Sequence, residues 1–203
     1  MRFGLGLICV AVAFNMTAED KAERLVNLHR VDATFVIEAK YATADNFLGV
    51  PVYKTGDLFL LRFVAEDLAA AQRELAEYKL KLKIWDGYRP HSIQERMWRR
   101  IPDARYVADP KRGSNHNRGC AVDVTLVDWN GAELPMPTKF DDFTERAHRD
   151  YNALDANVIK NRQLLSDVME RHNFVPFPTE WWHFDHRDCS KYPVLDIDVT
   201  RLQ

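Results

Sequence analysis

Two short segments hold residues that can do chemistry together. The first runs Ser114-Asn115-His116-Asn117-Arg118-Gly119-Cys120-Ala121-Val122-Asp123, and the second is Glu180-Trp181-Trp182-His183-Phe184. Catalytic zinc takes three nitrogen or oxygen ligands from the protein and keeps one position open; hydrolysis also needs a carboxylate outside the ligand set. His116, Asp123 and His183 supply such a donor set for one Zn2+ per chain, and Glu180 supplies the carboxylate that takes and returns a proton. The aromatic neighbours Trp181, Trp182 and Phe184 would dehydrate Glu180 and raise its pKa, as catalytic bases require. Each segment also has a plainer reading. An aspartate at a strand end and a histidine in a polar loop are often merely solvated, and Glu-Trp-Trp-His-Phe suits an aromatic core strand with one satisfied histidine. The chain has no His-Glu-x-x-His helix, so the donors must come from separate elements.

Arg89 is the third candidate. It lies in Trp85-Asp86-Gly87-Tyr88-Arg89-Pro90, where the proline favours an extended backbone before it. Its fork can meet a substrate carboxylate or a developing oxyanion. The competing role is an ion pair with Asp86.

These segments, with Tyr41-Ala42-Thr43-Ala44-Asp45-Asn46-Phe47 and Phe140-Asp141-Asp142-Phe143, follow one another in a familiar order. From about Tyr41 to His186 the chain resembles the VanX-type D-alanyl-D-alanine dipeptidases, a branch of a zinc peptidase family that also holds D,D-carboxypeptidases. The resemblance implies that His116, Asp123 and His183 bind zinc and that Glu180 is the general base and acid. It further implies that Arg89 serves the substrate or transition state, that Tyr41 and Ser114 donate hydrogen bonds to substrate, and that Asp142 holds its ammonium group. The implied substrate is a small D,D-dipeptide. Two alternatives remain at this point: a D,D-carboxypeptidase acting on peptidoglycan stems, and a non-catalytic zinc module. The tryptophan after Glu180 favours the dipeptidases over the carboxypeptidases, and Glu180 itself argues against a structural zinc, which needs no base.

The elements that position these residues can be read from periodicity. Residues 34–40 are rich in β-branched and aromatic types and predict a strand. Apolar spacing predicts a helix over 57–78, and Leu80 to Trp85 alternates as a half-buried strand. Ser92-Ile93-Gln94-Glu95 has the spacing of a capping box and opens a helix to about Arg100, whose Arg96, Arg99 and Arg100 form a solvated face. Cys120 to Val127 predicts a strand with Val122, Val124 and Leu126 on the core face and Asp123 on the other. Asn130-Gly131 marks a turn, and Gly119 can bring His116 back over Asp123. A second helix is expected over 155–172, an end to regular structure at Pro176 and Pro178, and a last strand over 181–185. Mixed elements without strict βαβ alternation predict a single α+β domain: a mainly antiparallel sheet, flanking helices, and the zinc site at the sheet.

Composition excludes other classes. The chain has 28 basic and 30 acidic residues, so nothing suggests a nucleic-acid partner. Arg2, the uncharged run to Ala18 and then Glu19-Asp20-Lys21 read as a secretory signal over 1–18, preceding a domain over 19–203. Cleavage after Ala13 or Ala18 fits, and the mature chain is expected in the periplasm without stable membrane association; an uncleaved anchor or a cytoplasmic location is the alternative. Once Cys9 leaves with that segment, Cys120 and Cys189 remain, by default as two free buried thiols, with a disulfide permitted in an oxidising compartment.

Overall fold

Val122, Val124 and Leu126 are fully buried and alternate along one strand, and the fold is laid out around that strand. The computed structural model describes residues 25–202, so the expected signal segment lies outside the described residues. Five strands form the main sheet: β2 (Val36–Ile37), β4 (Leu80–Asp86), β5 (Ala121–Asp128), β6 (Phe174–Pro176) and β7 (His183–His186). Their order is β2-β4-β5-β7-β6, and every pairing is antiparallel except β2 with β4. A separate ladder pairs β1 (Leu25–Asn27) with β3 (Phe59–Leu61). The helices are α1 (Leu28–Val31), α2 (Arg62–Glu77), α3 (His91–Arg100) and α4 (Ala156–Arg171). α2 and α4 pack on each other and against the sheet, burying Val64, Leu68, Leu75, Leu165, Val168 and Met169 with the core face of β5. This is the α+β layering that the pattern predicts.

Several local readings need correction. The helix predicted from 57 begins at Arg62, because Phe59, Leu60 and Leu61 are buried on all sides and extend to pair with β1. A fully buried strand has no alternation to distinguish it from helical spacing. The strand predicted over 34–40 is only two residues long, since the chain turns at Lys40–Ala42, where Lys40 bridges Glu38 and Asp45. The capping box at Ser92 is not formed: α3 opens after Pro90 with no side-chain cap, and the Ser92 N–H is taken by Asp196. Regular structure does end at Pro176, but after a strand that the spacing does not predict. The proline closes β6, an edge strand where a missing N–H costs no ladder bond. The last strand begins at His183 rather than Trp181, after a turn. The non-core face of β5 is buried as well, with Thr125 1% exposed and Asp123 3% exposed.

Two features fix the ends of β5. Cys120 and Cys189 form a disulfide with their Cα atoms 5.5 Å apart, tying the start of β5 to the segment after β7, so the two are not free thiols. Gly119 adopts φ +72°, the left-handed conformation that turns the chain from the His116 loop into the strand. A Cβ there would sit 2.9 Å from Leu25 Cδ2 and 3.3 Å from Leu61 Cγ. Gly119→Ala should therefore lose about 1–3 kcal/mol of stability, the usual cost of a strained left-handed residue. Urea denaturation measures this, and an unchanged midpoint would contradict the tight packing of that turn.

Candidate active site

The β5–β7 register places Asp123 directly opposite His183, and the β4–β5 register places Asp86 beside Asp123. Directly opposed residues on antiparallel strands bring their side chains within contact range. His183 Nδ1 lies 3.0 Å from Asp123 Oδ1, and His116 arrives from a short turn over His116–Arg118. Its Nε2 is 3.1 Å from His183 Nδ1 and 3.4 Å from Asp123 Oδ1. The Nδ1–H of His116 donates to the Gly87 carbonyl at 2.7 Å, which leaves Nε2 facing the cluster. One donor atom from each of the three residues lies within 4.8 Å of the others, and all three residues are buried.

The charges around these atoms favour a cation. Burial disfavours a charged imidazole at His183, but hydrogen bonds to Asp123 and Asp185 outweigh it and push its pKa up to about 10. Burial likewise opposes ionisation of Asp123, yet the charge and hydrogen bonds of His116 and His183 hold its carboxyl well below the usual range. Two nitrogen donors and one carboxylate in a buried, electronegative pocket fit a divalent metal of the zinc type.

Glu180 sits in the loop between β6 and β7, its Oε2 3.9 Å from His183 Nδ1. Burial raises its pKa, and the imidazoles of His183 and His116 only partly offset that. Arg149 fixes this loop: its guanidinium donates to the Phe177 carbonyl at 2.8 Å, the His183 carbonyl at 2.9 Å and Ser166 Oγ at 2.7 Å. Sequence reasoning did not single out Arg149, whose role depends on backbone acceptors far along the chain.

Arg89 takes the structural role and borders the cavity as well. Its Nε and Nη2 donate to Asp86 Oδ2 at 3.1 and 2.6 Å, and Nη1 donates to Gln94 Oε1 at 2.9 Å. Asp86 is fully buried and also accepts from the Tyr53 hydroxyl and the Gly87 N–H. Arg89 nevertheless lines a cavity of about 660 Å³ that also takes in Tyr41, Ser114, His116, Asp123, Glu180 and His183. Ser114 Oγ accepts the His116 N–H at 3.2 Å.

Asp142 is not part of that lining. Its carboxylate caps Thr144 N–H at 3.0 Å. The neighbouring Asp141 faces the cavity instead, because its backbone turns through φ +60° there. Asp141 accepts from the Tyr41 hydroxyl at 3.1 Å and the Phe47 N–H at 3.3 Å. Burial dominates its environment and pushes its pKa up to about 8, with the charge of Asp123 adding to the effect. Among the described residues no cation forms an ion pair with it, and the more distant charge of Arg89 offsets the shift only in part.

A family model described as D-ala-D-ala dipeptidase matches residues 21–199. The chain belongs to the D-ala-D-ala dipeptidase family. A D-alanyl-D-alanine dipeptidase of Escherichia coli (strain K12) is 37% identical over 171 residues, spanning 84% of this chain and 89% of that protein. A D-alanyl-D-alanine dipeptidase of Enterococcus faecium is 34% identical over 180 residues, 77% of this chain and 87% of the relative.

The Asp86–Arg89 pair gives a stability prediction. Removing one member of a buried pair leaves the other charge uncompensated, at a cost of about 3–5 kcal/mol. Arg89→Ala should therefore lower the urea midpoint sharply, and a midpoint close to that of the parent would show that Asp86 does not depend on Arg89.

Proposed function

We propose that this chain is a zinc-dependent dipeptidase that hydrolyses D-alanyl-D-alanine to two D-alanines. The observation that carries this reading is the buried His116–Asp123–His183 cluster, with Glu180 beside it and Asp141 in the wall of the same cavity. His116, Asp123 and His183 would hold a zinc ion, which when bound would supply Lewis acidity for the scissile carbonyl and for the attacking water. Glu180 takes the proton from that water at its carboxylate and returns it to the nitrogen of the leaving D-alanine. Its raised pKa makes it a stronger base than a surface glutamate.

The other residues bind and orient. Arg89, pinned by Asp86 and Gln94, presents a fixed positive charge at the wall for the oxyanion or the substrate carboxylate. Asp141 replaces Asp142 as the partner of the substrate's ammonium group. A free dipeptide carries the cation that this carboxyl lacks, and binding it would restore ionisation below a pKa of about 8. Tyr41 holds Asp141 in place, and the Ser114 hydroxyl remains able to donate to substrate. A carboxyl aimed at the substrate's amino end favours a dipeptidase over a carboxypeptidase, whose substrates carry a peptide bond there.

Export fits the same reading. A disulfide joining Cys120 and Cys189 suits an oxidising compartment, which supports a secretory segment over 1–18 and a periplasmic mature protein. Among the described residues no helix is long and apolar enough to cross a membrane.

Glu180→Ala should keep its zinc and its fold while losing roughly 10²–10⁴ in kcat, the usual share of a proton-transfer group. His183→Ala should lose the metal, and a chelator should abolish parent activity until zinc is returned. Elemental analysis decides the roles. Full zinc in His183→Ala would remove it from the ligand set, and metal loss in Glu180→Ala would make Glu180 a ligand instead of a base.

A further inference from the structure

Each of the two histidines in the metal cluster must offer a lone pair, and a neutral imidazole has only one. Which nitrogen offers it is set by what the other nitrogen meets. For His116 the answer is a backbone carbonyl, Gly87 O, on Nδ1. For His183 the arrangement is reversed. Its Nδ1 faces Asp123 and His116, and its Nε2 lies 3.0 Å from Asp185 Oδ1.

Asp185 stands two residues after His183 on β7, so both side chains leave the same face of the strand. Its neighbour across β5 is Ala121, whose methyl group leaves room for the carboxylate to lean toward the imidazole. The intervening Phe184 and the following His186 alternate away, and His186 is occupied by Asp67. Nothing in the proposed reaction uses Asp185, although it borders the catalytic cavity.

We infer that Asp185 is a positioning residue for the metal centre: its carboxylate accepts the Nε2–H of His183 and so directs the Nδ1 lone pair at the ion. This rests on the reading that His116, Asp123 and His183 hold the metal. A carboxylate behind a ligating imidazole fixes the ring orientation and makes the ring a better donor, an effect worth about 10–100-fold in metal affinity. The carbonyl behind His116 does the first of these tasks without adding charge. Of the two histidines, then, His183 is the one whose grip on the metal depends on a replaceable side chain.

The test compares Asp185→Ala and Asp185→Asn with the parent by zinc competition against a chromophoric chelator. Asparagine keeps an acceptor oxygen but loses the charge. Asp185→Ala should weaken zinc by roughly 10–100-fold, Asp185→Asn should recover part of that loss, and kcat at saturating zinc should fall less than affinity does. At saturating zinc the ¹⁵N signal of the His183 Nε2–H should shift in Asp185→Ala, where the carboxylate that accepts it is gone, while that of the His116 Nδ1–H should stay in place. Unchanged zinc affinity in Asp185→Ala, beside loss of zinc in His183→Ala, would overturn the positioning role and leave the ligand set standing. Zinc loss in Asp185→Ala as complete as in His183→Ala would make Asp185 a ligand and also overturn it. Retention of zinc by His183→Ala would remove the ligand set on which the inference rests.

Discussion

Asp123 and His183 meet because β5 and β7 pair in one register, and a slip by a single residue would turn one of them to the opposite face. That register is held from several directions. The core face of β5 is buried against α2 and α4, so Val122, Val124 and Leu126 cannot change sides without exposing apolar surface. The disulfide ties the start of β5 to the segment after β7, and the His186 N–H donates to the Cys120 carbonyl between them. The left-handed turn at Gly119 then delivers His116 to the same point.

Bringing those side chains together gathers negative charge in a place with little water. Asp86, Asp123, Asp141, Glu180 and Asp185 all lie in or beside one cavity wall. Charges buried in this way persist only when paired. The fold pairs Asp86 internally with Arg89 and leaves the cluster around Asp123 to imidazoles and, on the proposed reading, a metal ion. Among the described residues Asp141 is hydrogen-bonded only by neutral donors, the Tyr41 hydroxyl and the Phe47 N–H, too little to offset the burial that pushes its pKa up to about 8. The site thus offers three carboxyl positions to three different cations: an arginine of the chain and, on the proposed reading, a metal and the amino group of a substrate that ionises Asp141 as it binds.

Much of this was legible in the sequence, and the failures have physical causes. The α+β layering, the two long helices and the strands around Asp123 and His183 follow from apolar spacing. Alternation put Asp123 opposite the core face, and Gly119 marked the turn that returns His116. The β1–β3 ladder was invisible because a strand buried on every side carries no period. The expectation named Asp142, whereas the residue that lines the cavity is Asp141, whose left-handed backbone no spacing rule reports. Asp185 was within reach: it lies two residues after His183 on a strand and must share its face. Arg149 was not, because its partners are carbonyls of a distant loop.

The claim that the cavity reads a free amino terminus at Asp141 is tested most directly by comparing kcat/KM for D-Ala-D-Ala with that for N-acetyl-D-Ala-D-Ala. Burying the substrate's ammonium costs on the order of several kcal/mol unless a carboxylate meets it, and an acetylated amino end brings no cation to ionise Asp141. The account predicts ready cleavage of the free dipeptide and little or none of the acetylated one. Equal values would contradict it, because they would mean that the amino end is not recognised and that the cavity serves longer peptides.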